Sequence, residues 1–61
     1  MGDCYVDSYA EAGKYRAVVI QTATGRQLYV TWPYAGEQAA IARARRWIRE
    51  ERQRAEAVTL F

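Results

Sequence analysis

Alternating apolar and polar residues on either side of a Thr-Gly step predict a β-hairpin. The first strand covers residues 14–22 and the second residues 27–32. The step at 24–25 fits a two-residue turn, because glycine adopts positive φ without steric cost. Pairing Ala23 with Arg26 then sets the register. We expect this register to place six side chains on the core face: Tyr15, Ala17, Val19, Leu28, Val30 and Trp32.

The opposite face of the hairpin is predicted to stay open. It would present Lys14, Arg16, Val18, Ile20, Gln27, Tyr29 and Thr31. A further alternating segment at 3–9 predicts another strand, which ends before the turn residue Gly13. If this strand joins the sheet, it adds either Tyr5, Asp7 and Tyr9 or Cys4, Val6 and Ser8 to the open face.

A single helix is predicted over residues 37–57, after Pro33 has ended the last strand. Gly36 is the expected N-cap, and Glu37 suits the positive end of the helix dipole. One stripe of the helix is apolar and should cover the sheet: Ala40, Ile41, Ala44, Trp47, Ile48 and Ala55. Arg45, Arg46, Arg49 and Gln53 lie outside that stripe.

The predicted fold is therefore α+β: a three-stranded antiparallel β-meander packed on one long C-terminal α-helix, in the order βββα. Residues 1–61 form one small domain. The apolar tail at 58–61 lies beyond the helical pattern, and either folds back onto the core or pairs with a second subunit.

Composition argues against catalysis. The chain has one cysteine, Cys4, and no histidine, so a disulfide within the monomer and a zinc site are not expected. Neither a nucleophile motif nor a phosphate-cradling loop occurs. We expect a non-enzymatic protein with no catalytic residue, no metal and no cofactor.

No segment approaches the roughly 20 apolar residues that span a membrane, and no signal peptide is apparent. A cytoplasmic protein without membrane partners is the expectation. Abundant Ala and Arg with a single Lys suggest a bacterial or phage genome rich in G and C.

Charge is concentrated in the helix. The formal net charge is +2, and residues 43–49 hold four arginines without an acid. Such a patch can contact phosphates or an acidic protein. Arginines on helices are also commonly solvated or paired, and the pairs expected here are Arg46 with Glu50 and Arg52 with Glu56.

The open sheet face mixes cations, aromatic side chains and hydrogen-bond donors, a composition that suits binding of nucleic acid or protein. Val18 and Ile20 can equally be ordinary half-exposed strand residues. The candidate binding residues are Lys14, Arg16, Arg26, Gln27, Tyr29, Arg45, Arg46 and Arg49.

Residues 13–48 resemble the small DNA-binding domains of the AP2 type, in particular the arm-binding domains of phage-type tyrosine recombinases. The matching features are Tyr15-Arg16 opening a strand, Gly25-Arg26 in the hairpin, Trp32, and an Ala-rich helix containing Trp47. The resemblance implies that the sheet enters the major groove of DNA. It also implies the DNA-facing positions Arg16, Arg26, Gln27 and Tyr29.

The alternative is a protein-binding module. Small phage and mobile-element proteins that inhibit or adapt a host complex, anti-CRISPR proteins among them, are similar in size and plan. A near-neutral N-terminal half, an aromatic sheet face and an apolar tail suit a protein partner. That partner can be a second copy, paired through the sheet face or through the tail at 58–61.

Overall fold

The fold is the predicted βββα arrangement. A computed structural model describes the backbone of residues 2–59 and the side chains of residues 2–56. Its elements are β1 (Cys4–Glu11), β2 (Lys14–Gln21), β3 (Gln27–Val30) and α1 (Glu37–Thr59). The strands form one antiparallel sheet in the order β1-β2-β3, with α1 across one face. The predicted role of the tail at 58–61 lies outside the described side chains.

A tight turn joins β1 to β2. Glu11 pairs with Lys14, so the turn consists of Ala12 and Gly13, with φ values of 52° and 77°. Two successive positive φ values are the signature of a type I′ turn, whose twist matches that of the flanking strands. Glycine adopts this conformation freely, whereas Ala12 carries a steric cost.

The core is small and rich in alanine. Ala17 and Val19 from β2 meet Ala40 and Ala44 from α1, and all four are fully buried. The alanines allow the helix to approach the sheet closely. Several larger side chains pack partly buried around them: Cys4, Val6, Tyr15, Leu28, Tyr29, Tyr34, Ile41, Trp47 and Ile48. The predicted alternation of β2 is confirmed, since its odd-numbered positions face the helix.

The predicted connection between β2 and β3 is wrong. Gln21, rather than Ala23, pairs with Arg26, through a bond of 2.8 Å from the Gln21 N–H to the Arg26 carbonyl. The loop therefore has four residues, 22–25. It closes with a bond of 2.8 Å from the Gly25 N–H to the Gln21 carbonyl. This difference alone would preserve the predicted faces, because it shifts the pairing by two residues.

A β-bulge then inverts the faces of β3. Ile20 pairs with Gln27, but Val19 pairs with Tyr29, so Leu28 is the additional residue. A shift of one residue moves every later side chain to the other face. Tyr29 therefore packs in the core and Thr31 is 1% exposed, whereas Val30 is exposed and Trp32 is 78% exposed. The predictions that placed Tyr29 and Thr31 on the open face, and Val30 and Trp32 in the core, are wrong.

Side-chain contacts stabilise the shifted register. The rings of Tyr29 and Trp47 stack with centroids 5.0 Å apart and planes 5° from parallel. The Thr31 hydroxyl accepts a 3.0 Å bond from the Ala17 N–H and donates a 2.9 Å bond to the Trp32 carbonyl. The register therefore combines an aromatic pair with a satisfied buried hydroxyl.

The first strand completes what we call the open sheet face, the side of the sheet turned away from α1. Tyr5 pairs with Ile20, Asp7 with Val18 and Tyr9 with Arg16, which decides between the two predicted alternatives. The side chains on this face include Tyr5, Asp7, Tyr9, Glu11, Lys14, Arg16, Val18, Ile20, Val30 and Trp32. Val18 is 4% exposed although it lies outside the core cluster, so the expectation that it is free is wrong.

The helix begins at the predicted residue, but only its first half packs on the sheet. The Gly36 carbonyl accepts a 3.3 Å bond from the Ala40 N–H, and the apolar stripe packs as far as Ile48. Ala55, predicted to lie on that stripe, is exposed. Among the described residues, no helix combines the length and apolarity that a membrane span requires.

Candidate nucleic-acid interface

A shallow groove of about 360 Å³ runs between the start of β1 and the second half of α1. Cys4, Tyr5 and Val6 form its strand side. Ile48 and three arginines form its helix side, and the arginines are Arg45, Arg49 and Arg52. We call this feature the arginine groove. It combines an apolar floor with three cationic side chains.

Helix geometry brings the three arginines together. Positions 45, 49 and 52 are separated by four and three residues, so they fall within about a sixth of the helix circumference. This row borders the apolar stripe at Ile48, on the flank nearest β1. The next position along the same row is Glu56, one turn beyond the groove.

The arginines of the groove differ from the others in their electrostatic partners. On the flank near β3, Arg43 and Arg46 contact the Glu50 carboxylate at 3.4 and 3.9 Å, and Arg54 contacts Glu51 at 2.8 Å. The Arg43 guanidinium also lies 5.5 Å from the centroid of the Tyr29 ring.

Within residues 2–56, by contrast, no ion pair joins a carboxylate to Arg45, Arg49 or Arg52. The predicted pair of Arg46 with Glu50 is confirmed, whereas Arg52 does not pair with Glu56 in the same described part. The positive charge of the helix is therefore concentrated on the groove side.

The sequence-predicted residues of the sheet do not come together as one site. Arg16 is held near Glu11, with 3.8 Å between Nε and the carboxylate, and its Nη1 lies 3.5 Å from the Thr31 carbonyl. Arg26 and Gln27 are exposed at the far hairpin, while Lys14 is exposed at the opposite end of β2. Tyr29 points to the helix, as described above. The predicted helix residues are split as well, since Arg45 and Arg49 line the groove and Arg46 does not.

Five groove residues were absent from the predicted set: Cys4, Tyr5, Val6, Ile48 and Arg52. The spacing of Arg52 from Arg45 and Arg49 carries a helical signal that could have identified it. Cys4 and Tyr5 could not be assigned from local pattern, because their position depends on β1 being the edge strand beside that flank of α1.

Comparison of the chain with protein-family models, curated proteins and solved structures found no significant match.

Proposed function

We propose that this protein is a non-enzymatic module that binds the phosphate backbone of nucleic acid in the arginine groove. The observation that carries the proposal is the row of three arginines that face one concavity and pair with no carboxylate within residues 2–56. Guanidinium groups match phosphate oxygens in a planar, bidentate geometry and remain charged at any physiological pH.

The dimensions of the row suit a chain of phosphates. Arg45 and Arg52 are separated by about 10 Å along the helix axis, at 1.5 Å per residue. Their side chains can therefore reach more than one backbone phosphate at once. Contacts of this kind supply affinity and position but carry no information about base sequence.

Phosphate contacts alone do not distinguish a single strand from a duplex, and the Tyr5 side chain, 50% exposed, belongs to the open sheet face rather than to the cationic row. We expect weak, sequence-tolerant binding to either form of nucleic acid.

The test is a salt titration of binding, followed by fluorescence anisotropy, with a labelled single-stranded oligonucleotide and a duplex of the same sequence. Three phosphate contacts predict a slope of log K against log salt of about −2 for the single strand and about −3 for the duplex. Arg49→Gln should weaken binding and reduce the size of the single-strand slope by about 0.7.

Arg46→Gln is the matched control, since it removes the same charge from an adjacent exposed position that already pairs with Glu50. It should leave the slope unchanged. Equal effects of the two variants would place binding outside the groove. Affinity that does not depend on salt would reject a phosphate ligand and favour the protein-binding alternative.

A further inference from the structure

The open sheet face carries several exposed apolar side chains. The exposed large apolar side chains of the described residues all belong to it: Tyr5 at 50%, Tyr9 at 42%, Val30 at 38% and Trp32 at 78%. Tyr5 and Tyr9 lie on β1, and Val30 of β3 pairs with Val18 of the central strand. Alternation through the buried Thr31 places Trp32 on the same side as Val30.

We propose that this face packs against the same face of a second copy, forming a symmetric dimer with two sheets inside and two helices outside. The surface differs in character from the arginine groove, and the inference does not depend on the proposed function.

Charge balance favours a second copy over a strongly charged partner. The open sheet face carries two acids, Asp7 and Glu11, and two bases, Lys14 and Arg16, so its formal charge is zero. Glu11 lies near Arg16, whereas Asp7 and Lys14 have no ion pair within the described residues. Face-to-face packing about a two-fold axis can bring Asp7 of each copy towards the bases of the other. A neutral face with one free charge of each sign is complementary to itself.

The available area is of the right size. The four exposed apolar side chains alone present about 400 Å², at roughly 200 Å² for a fully exposed aromatic residue. That is about half of the roughly 800 Å² per subunit in a standard interface. The polar members of the face can supply much of the remainder. An exposed apolar area of about 400 Å² is comparable to the largest patches on monomeric proteins, about 300–600 Å², which are often functional.

The thin core supplies a physical reason for association. Alanine makes up three of the four residues of the fully buried cluster, in a chain of 61 residues. Domains of this length bury a small fraction of their surface and have a narrow margin of stability. Packing two sheets about 10 Å apart would give the molecule a second apolar layer. The arginines of the groove lie on the helix side of each sheet and would stay accessible.

The first experiment is sedimentation analysis of the full chain from low to high micromolar concentration. We expect a reversible monomer–dimer equilibrium. Val30→Lys should raise the dissociation constant at least about tenfold, because it introduces an unpaired charge into the interface. Gln53→Lys, which adds the same charge at an exposed helix position, should leave the constant unchanged.

A charge exchange makes the test specific to this face. Asp7→Lys changes the formal charge of the face to +2, and Lys14→Asp changes it to −2, so each variant alone should dissociate. An equimolar mixture should form a heterodimer at least about as tight as the wild-type dimer. Circular dichroism of each variant verifies that the fold is retained.

Three results would overturn the inference. The first is a wild-type monomer throughout the concentration range. The second is a dimer equally sensitive to Val30→Lys and Gln53→Lys. The third is folded charge variants that fail to associate on mixing, which would leave the self-complementary face without support.

Discussion

Thr31 shows how one hydroxyl can take the place of a backbone acceptor. The Thr31 N–H donates a 2.9 Å bond to the Ala17 carbonyl, but the Ala17 N–H is bound by the Thr31 hydroxyl rather than by a backbone carbonyl. The site is fully enclosed, so the Ala17 N–H has no access to water if that hydroxyl is lost.

We therefore predict that Thr31→Val lowers the free energy of unfolding by about 1–3 kcal/mol, the cost of an unsatisfied buried donor. Urea denaturation measures the change. Thr31→Ser keeps the hydroxyl and should lose less. Thr22→Val, an exposed threonine in the hairpin loop, should lie within about 0.5 kcal/mol of wild type. Equal stability of Thr31→Val and Thr22→Val would show that the hydroxyl is dispensable.

Ala12 is a second residue whose backbone determines its effect on stability. Its φ of 52° is sterically unfavourable for any residue with a Cβ. Ala12→Gly should therefore raise the free energy of unfolding by about 0.5–1 kcal/mol, since glycine relieves the strain. Ala10→Gly, in the preceding strand, should have the opposite sign, because glycine only adds flexibility there. Thermal denaturation of both variants gives the comparison, and destabilisation by Ala12→Gly would contradict the strain.

At the scale of elements, β3 is positioned by its bulge and α1 by its aromatic contact. The Leu28 bulge brings Tyr29 beneath the helix, where it stacks on Trp47 and lies near the Arg43 guanidinium. Trp47 and Arg43 are one helical turn apart, so a single tyrosine engages two side chains of α1. This contact ties the edge strand of the sheet to the helix on the side away from the groove.

A double-mutant cycle tests this contact. Tyr29→Leu and Trp47→Leu should each destabilise the fold, and their coupling should be about 0.5–1.5 kcal/mol, as for other stacked aromatic pairs. The matched cycle combines Trp47→Leu with Trp32→Leu, which changes a ring on the opposite side of the sheet. Its effects should be additive under conditions that keep the chain monomeric. Coupling of equal size in both cycles would contradict a specific stack.

The sequence predicted the faces of β2 correctly but not those of β3. Alternation predicted β2 and its buried side correctly, because the opposite side carries Lys14 and Arg16, whose charges would be costly to bury in a core. The buried side of the first turns of α1 was also predictable, because its apolar residues recur at helical spacing. The faces of β3 were not predictable, because Leu28 and Val30 suit a core as well as Tyr29 does, and only the contact with Trp47 decides between them. The arginines of the groove could be predicted from their helical spacing. Its strand residues could not, because their position depends on the order of the strands in the sheet.

At the scale of the whole molecule, the two sides of the sheet carry different chemistry. The arginine groove has three cations that pair with no carboxylate among the described side chains, whereas the open sheet face is neutral and aromatic. A net charge of +2 conceals this division, because Glu50 and Glu51 of α1 pair with arginines outside the groove. We propose phosphate binding in the groove and self-association through the sheet face.

The central claim is that nucleic acid occupies the arginine groove, and the single cysteine reports on it. Cys4 lines the groove, so its rate of alkylation by a small thiol reagent can be followed by mass spectrometry with and without a saturating single-stranded oligonucleotide. We predict that bound oligonucleotide slows alkylation in wild type and in Arg46→Gln. An alkylation rate that stays unchanged while anisotropy shows the oligonucleotide fully bound would contradict the claim.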